Sequence, residues 1–91
     1  MSHYVVEARY AEGAADKRAP HRDAHLERLR KLAAEGVLVL AGAFSDLSAT
    51  LLVFAVGSEE AVVAIIQSDV YWKNKVWTDY SIRSFKASLD G

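Results

Sequence analysis

Val37-Leu-Val-Leu-Ala41 and Thr50-Leu-Leu-Val-Phe-Ala-Val56 decide the fold. Each is a continuous apolar run, too short for a helix of ordinary length and rich in β-branched residues. That is the pattern of a strand buried on both faces. Only the connection Gly42-Ala-Phe-Ser-Asp-Leu-Ser-Ala49 separates them, so two strands follow one another in the middle of the chain.

Toward the N-terminus, Leu26, Leu29, Leu32 and Ala33 recur at three- and four-residue spacing, while Glu27, Arg28, Arg30, Lys31 and Glu35 occupy the remaining surface. This predicts a helix with one buried stripe, which Gly36 ends. Pro20 disfavours a helical Ala19, so the helix is expected to start at or just after Pro20. Residues 11–15 read as a loop, and Asp16 as the cap of a short turn through Lys17 and Arg18. His3 to Tyr10 alternate as a first strand, with Tyr4, Val6, Ala8 and Tyr10 on one face and His3, Val5, Glu7 and Arg9 on the other.

Toward the C-terminus, Gly57-Ser58-Glu59-Glu60 is a strand-to-helix corner with Ser58 as the cap. Ala61, Val62, Ile65 and Ile66 form the apolar face of the second helix, Asp69-Val70-Tyr71 breaks it, and Trp72-Lys-Asn-Lys is irregular. Val76 to Lys86 alternate as a last strand, with Val76, Thr78, Tyr80 and Ile82 on one face and Trp77, Asp79, Ser81, Arg83 and Phe85 on the other. The order strand, helix, strand, strand, helix, strand is the α+β, ferredoxin-like split βαβ arrangement. It places both helices on one face of a four-stranded antiparallel sheet. No element of a 91-residue chain remains to cover the opposite face, which predicts face-to-face homodimerisation.

Bulk properties agree with one domain over residues 1–91 whose core is limited by size. Apolar residues make up 52% of the chain, a share that also hints at a buried interface. Eleven basic against twelve acidic residues leave no electrostatic footprint for nucleic acid or an anionic membrane. The absence of cysteine removes disulfides, thiolate metal sites and a cysteine nucleophile. No apolar run approaches the ~20 residues of a membrane span, and the N-terminus has no long apolar signal region. A cytoplasmic protein is the expectation.

The chemistry-bearing segment is Arg18-Ala-Pro-His21-Arg22-Asp-Ala-His25-Leu26-Glu-Arg-Leu29. A helix start offers unpartnered N–H groups and favours negative charge, and two arginines add to it. His25 supplies a proton exchangeable near neutrality and borders the buried stripe. Together these suit an acidic small molecule. Arg18 and Arg22 could equally be surface charges paired with Asp16, Asp23 or Glu27; as a carboxylate clamp, at least one must turn inward, and Arg22 is the expected one. His21 and His25, four apart, form a possible two-histidine metal platform, but a third ligand is not evident, so no metal is expected.

The segment acquires a likeness when joined to Leu40-Ala41-Gly42-Ala43, Thr50 and Ser68-Asp69-Val70-Tyr71 in that order. Together, from Tyr4 to Lys86, these resemble the YciI-like, or YCII-related, family. The resemblance implies a dimeric α+β barrel like that of muconolactone isomerases, with small-molecule pockets between sheet and helices. Some members are dehydrohalogenases or lyase-like enzymes on small organic acids. It further implies that His25 of Arg22-Asp-Ala-His25-Leu26 and Asp69 form a catalytic dyad without metal or organic cofactor. Arg18, Arg22, Gly42, Thr50 and Tyr71 would then line the substrate pocket. This chain departs from the family pattern at Ala43 and Val70, where the family has proline, at Ala49-Thr50, where it has Gly-Ser, and in a short Gly42–Ala49 connection. The rival expectation is a non-catalytic module, accessory subunit or sensor that binds a small acid in the same pocket.

Overall fold

The computed structural model describes residues 3–89. Strand β1 (His3–Tyr10) leads through a short helix α1 (Ala14–Arg18) and a 3-10 turn (Ala19–His21) into α2 (Arg22–Ala34). Strands β2 (Leu38–Ala43) and β3 (Ala49–Ala55) follow, then α3 (Glu59–Gln67), the single turn α4 (Val70–Lys73) and β4 (Trp77–Phe85). The sheet order is β2-β3-β1-β4, and every neighbouring pair is antiparallel. This is the ferredoxin-like arrangement expected from the element order. No helix among the described residues is long and apolar enough to cross a membrane.

Local signals account for most boundaries. Gly36, at φ 76°, ends α2: its N–H bonds to Ala33 O and that of Val37 to Leu32 O, the paired bonds of a Schellman cap. Ser58 caps α3 by accepting the Ala61 N–H at 3.2 Å. Asp16 is not a cap; it lies inside α1, which starts after Gly13 in a left-handed conformation at φ 74°. The long helix α2 does start just after Pro20, at Arg22, but Ala19 is not the break expected. Arg18, Ala19, His21 and Arg22 are all right-handed helical, so the helical path runs from Ala14 to Ala34, with Pro20 in the first positions of the 3-10 turn. Proline biases its predecessor against helix without forbidding it, and here the packed path prevails.

The core lies between the helices and the inner sheet face. Val6, Ala8, Leu52 and Phe54 point inward from β1 and β3 against Val62 and Ile66 of α3, Tyr71 of α4 and Trp77. Burying each large side chain contributes roughly 1.5–3 kcal/mol. Trp77 corrects the alternation expected for the last strand. Tyr10 pairs with Trp77 while Arg9 pairs with Asp79, so Thr78 is an extra residue and the phase slips by one. That bulge turns Trp77 inward, alongside Tyr80 and Ile82, instead of outward with Asp79.

Strand β2 is also corrected. It is an edge strand, with a register shift between Leu38 and Leu40 that leaves Val39 and Leu40 half-exposed. The expected burial on both faces holds for Leu38 alone at one end. Ala33, placed on the stripe of α2, is exposed, and Trp72 and Lys73 belong to α4 instead of an irregular stretch.

Candidate active site

His25 is the only buried residue of α2. It lies deeper than Leu26, Leu29 and Leu32, which are half-buried. Its Nδ1–H donates to both oxygens of Asp69, at 2.9 and 3.0 Å, across 44 residues of sequence. Asp69 is itself 1% exposed and sits at the corner between α3 and α4. Its Oδ1 caps α4 by accepting the Tyr71 N–H at 2.8 Å. A carboxylate only accepts, so this contact sets the imidazole tautomer with the hydrogen on Nδ1.

Two aromatic rings fix the imidazole from its faces. Tyr71 stacks on it with centroids 3.7 Å apart and 8° between planes, and Trp77 meets it edge-on at 5.3 Å. Burial pushes the Tyr71 phenol above its ordinary value of 10.0, and Tyr10 adds to the push while Arg18 and Arg22 partly offset it. With Nδ1 committed to Asp69, Nε2 is the nitrogen left for the cavity. It is not sealed: among the described residues the only buried side-chain nitrogen or oxygen without a partner is Trp77 Nε1.

His25 opens on a cavity of about 250 Å³ between the inner sheet face and the first helical segment. Arg18, Arg22 and Tyr71 line it, as do Gly42 and Thr50, so five of the residues singled out in sequence are brought together around the sixth. Asp69 does not line the cavity; it stands behind His25. Thr50 donates its hydroxyl to Gly42 O at 2.8 Å, tying β3 to β2 at the cavity wall. Arg18 is half-buried with its guanidinium 5.8 Å from the centre of the Tyr10 ring, whereas Arg22 is exposed. Both nevertheless line the cavity and both act on the Tyr71 phenol, Arg18 being the more buried of the two. Neither arginine pairs with Asp16, Asp23 or Glu27 among the described ion pairs.

Helical residues from Ala14 onward precede α2, which has no side-chain cap, and two guanidinium groups bring positive charge to the cavity. His21 ends the 3-10 turn, and no group of three His, Asp or Glu side chains converges as a metal site among the described residues.

Sequence reasoning missed Tyr10, Leu26, Leu29, Ala41 and Ala43 as lining residues. Tyr10 had a signal, because it lies on the helix-facing side of the first strand. It also missed Arg28, whose guanidinium reaches Asp69 Oδ2 at 3.4 Å. A wider groove of about 830 Å³ runs along α2 past Ala24, Lys31 and Glu35, but the buried polar contacts are concentrated at the smaller cavity.

The model of the YCII-related domain matches residues 2–86. Among solved structures, the chain is similar to the 5-chloro-2-hydroxyhydroquinone dehydrochlorinase TftG from Burkholderia phenoliruptrix AC1100, in complex with 2,5-dihydroxybenzoquinone. The two share 17% identity, with 92% of this chain and 93% of that one covered, at a TM-score of 0.81. At that identity the likeness establishes the fold. No curated protein matches. With the domain model spanning nearly its whole length and the strand and helix order in agreement, the chain belongs to the YCII-related domain family.

Proposed function

We propose that the chain is a small-molecule enzyme of the lyase or isomerase type, dehydrohalogenase-like, with His25 and Asp69 as its acid/base pair and a small organic acid or lactone as its substrate. The observation that supports this is a buried Nδ1–carboxylate contact behind an imidazole that opens on a cavity carrying two arginines. His25 Nε2 takes a proton from a carbon beside a carbonyl or carboxylate. In a lyase the C–H electrons become a C=C bond as the leaving group departs with its own bonding pair. On a chlorohydroquinone, whose keto tautomer carries chlorine on an sp3 carbon, the same base takes a ring-hydroxyl proton and the freed electrons form the quinone as chloride leaves. In an isomerase those electrons pass to the carbonyl as an enolate, and the imidazolium returns the proton at another carbon.

Asp69 balances the charge of the imidazolium without taking its proton. Arg18, anchored over Tyr10, and Arg22 at the rim hold the anionic oxygens. Thr50 has acceptor capacity left for a substrate hydroxyl, and Gly42 contributes backbone to the wall.

The test screens chloride release from 5-chloro-2-hydroxyhydroquinone, the substrate named for the dehydrochlorinase, and proton exchange of small lactones in deuterated water. His25→Ala is expected to lower turnover by about 10²–10⁴-fold while the fold and ligand affinity persist. Absence of turnover in the wild-type chain across both screens, with His25→Ala changing affinity alone, would favour the binding-module reading.

A second copy of the chain covers the outer sheet face in this reading. Val5, Val53 and Leu40 pair across β1, β3 and β2 on that side, and Phe85 is 47% exposed beyond them. Sedimentation giving a stable monomer at micromolar concentration would refute the homodimer.

A further inference from the structure

Arg28 sits one turn beyond His25 on α2 and forks across the α3–α4 corner. One arm, Nη1, donates to Asp69 Oδ2 at 3.4 Å, and the other, Nη2, donates to the Ser68 hydroxyl. Ser68 is not a loose partner, because its own hydroxyl donates to Ala64 O at 2.8 Å and Ile65 O at 3.0 Å. The guanidinium is thereby tied to the last turn of α3, which has no basic residue of its own. A cation at a helix C-terminus complements the dipole.

The Arg28 contact is long and its guanidinium partly exposed, so its significance lies in what it fixes on the buried carboxylate. The terminal torsion of an aspartate is broad and roughly two-fold, and nothing intrinsic holds the plane of its carboxylate. Two donors on opposite oxygens do hold it. The Tyr71 N–H pins Oδ1 and Arg28 pins Oδ2, leaving the edge between them for His25 Nδ1–H, which meets both oxygens at nearly equal distance.

Resting on the acid/base reading of His25 and Asp69, we propose that Arg28 is a positioning residue that sets the plane of the Asp69 carboxylate and, through it, the aim of His25 Nε2 into the cavity.

The corner suggests its own rescue. Val70 is the first residue of α4, where a backbone N–H has no intrahelical partner, and Asp69 has φ −72° and ψ 140°, the conformation a following proline demands. Val70→Pro should therefore stiffen the corner without disturbing its path.

The experiment compares Arg28→Gln, Ser68→Ala and Arg28→Gln/Val70→Pro with the wild-type chain. One readout needs no substrate: the imidazole Nδ1–H resonance of His25 and its exchange rate with water. The other is kcat and KM on whichever probe turns over. Arg28→Gln is expected to broaden or lose the Nδ1–H signal and to lower kcat about 10- to 100-fold with KM nearly unchanged. Ser68→Ala should do the same more weakly, and the double variant should regain most of both. An unchanged Nδ1–H signal in Arg28→Gln would overturn the proposal, as would a loss shared by kcat and KM that proline fails to rescue. If no probe turns over, the enzymatic reading fails, and the resonance still decides whether Arg28 positions the pair. Should Arg28→Gln not fold, Ser68→Ala carries the same test.

Discussion

Asp69→Asn isolates the charge and acceptor pattern of the pair without altering size. In the native corner Oδ1 accepts from the Tyr71 N–H and His25, and Oδ2 accepts from His25 and Arg28. An amide has one acceptor oxygen and two donor hydrogens. With its oxygen in the Oδ1 position it still caps α4. Its NH2 group then stands where Oδ2 was, 3.0 Å from His25 Nδ1. That donor opposes Nδ1–H and leaves it only the Oδ1 contact already shared with the Tyr71 N–H, so the imidazole is expected to move its hydrogen to Nε2 and accept from the amide through Nδ1.

The energetic cost is dominated by the bond between His25 and a charged acceptor, about 1.5–3 kcal/mol. The longer, partly exposed Arg28 contact adds little. For a domain of this size a loss of about 2–3 kcal/mol lowers Tm by roughly 10–20 °C. The chain therefore remains folded at ambient temperature, and the cavity keeps its shape. In the proposed mechanism what changes is the reacting atom: Nε2 becomes a donor, and a general base expected to be worth about 10²–10⁴-fold is lost. Thermal unfolding measures the first effect, nitrogen-detected NMR of the imidazole reads the tautomer directly, and kcat/KM measures the third. If the Asn variant kept the hydrogen on Nδ1, or melted with the wild-type chain, the account of Asp69 as the residue that sets the tautomer would be wrong.

Two further outcomes follow from the local structure. Ser58→Ala removes the oxygen that accepts the Ala61 N–H, and is expected to cost about 1 kcal/mol; Ser58→Asp should be nearly neutral, and urea titration distinguishes them. Burial holds the proton on Tyr71 above the ordinary value of 10.0, so the folded chain binds that proton more tightly than the unfolded one. This contribution to stability is fully present below pH 10 and falls as pH rises toward the folded value. An absorbance titration should show a late-ionising phenol, Tyr71→Phe should remove that late step and flatten the alkaline decline, and a titration whose late part Tyr71→Phe leaves unchanged would contradict the burial argument.

The parts of the fold legible in the sequence are those written in local patterns. β1 spans His3–Tyr10 as its alternation predicts, Gly36 ends a helix through the positive φ its residue type permits, Ser58 starts one through its hydroxyl, and the element order agrees with the sheet order. The failures share a different cause. Alternation alone puts Trp77 on the wrong face because a bulge at Thr78 is a two-strand property, visible only once Arg9 and Tyr10 are paired. Val39 and Leu40 are exposed although their run is apolar, because such a run reports that a surface avoids water, without reporting whether this chain supplies the cover. The site divides the same way. The contact between His25 and Asp69 spans 44 residues, and no periodicity joins them, so that pairing was reached through the family resemblance. Arg28 is the more instructive omission. It stands three residues after His25, the spacing at which helical side chains share a face, yet its charge placed it with Glu27 and Arg30 as solvated surface. Once His25 is known to face inward, that spacing puts Arg28 beside whatever His25 meets. Helix period and residue chemistry therefore had to be read together, because a long arginine can be exposed along its stem and still set the geometry of a buried carboxylate.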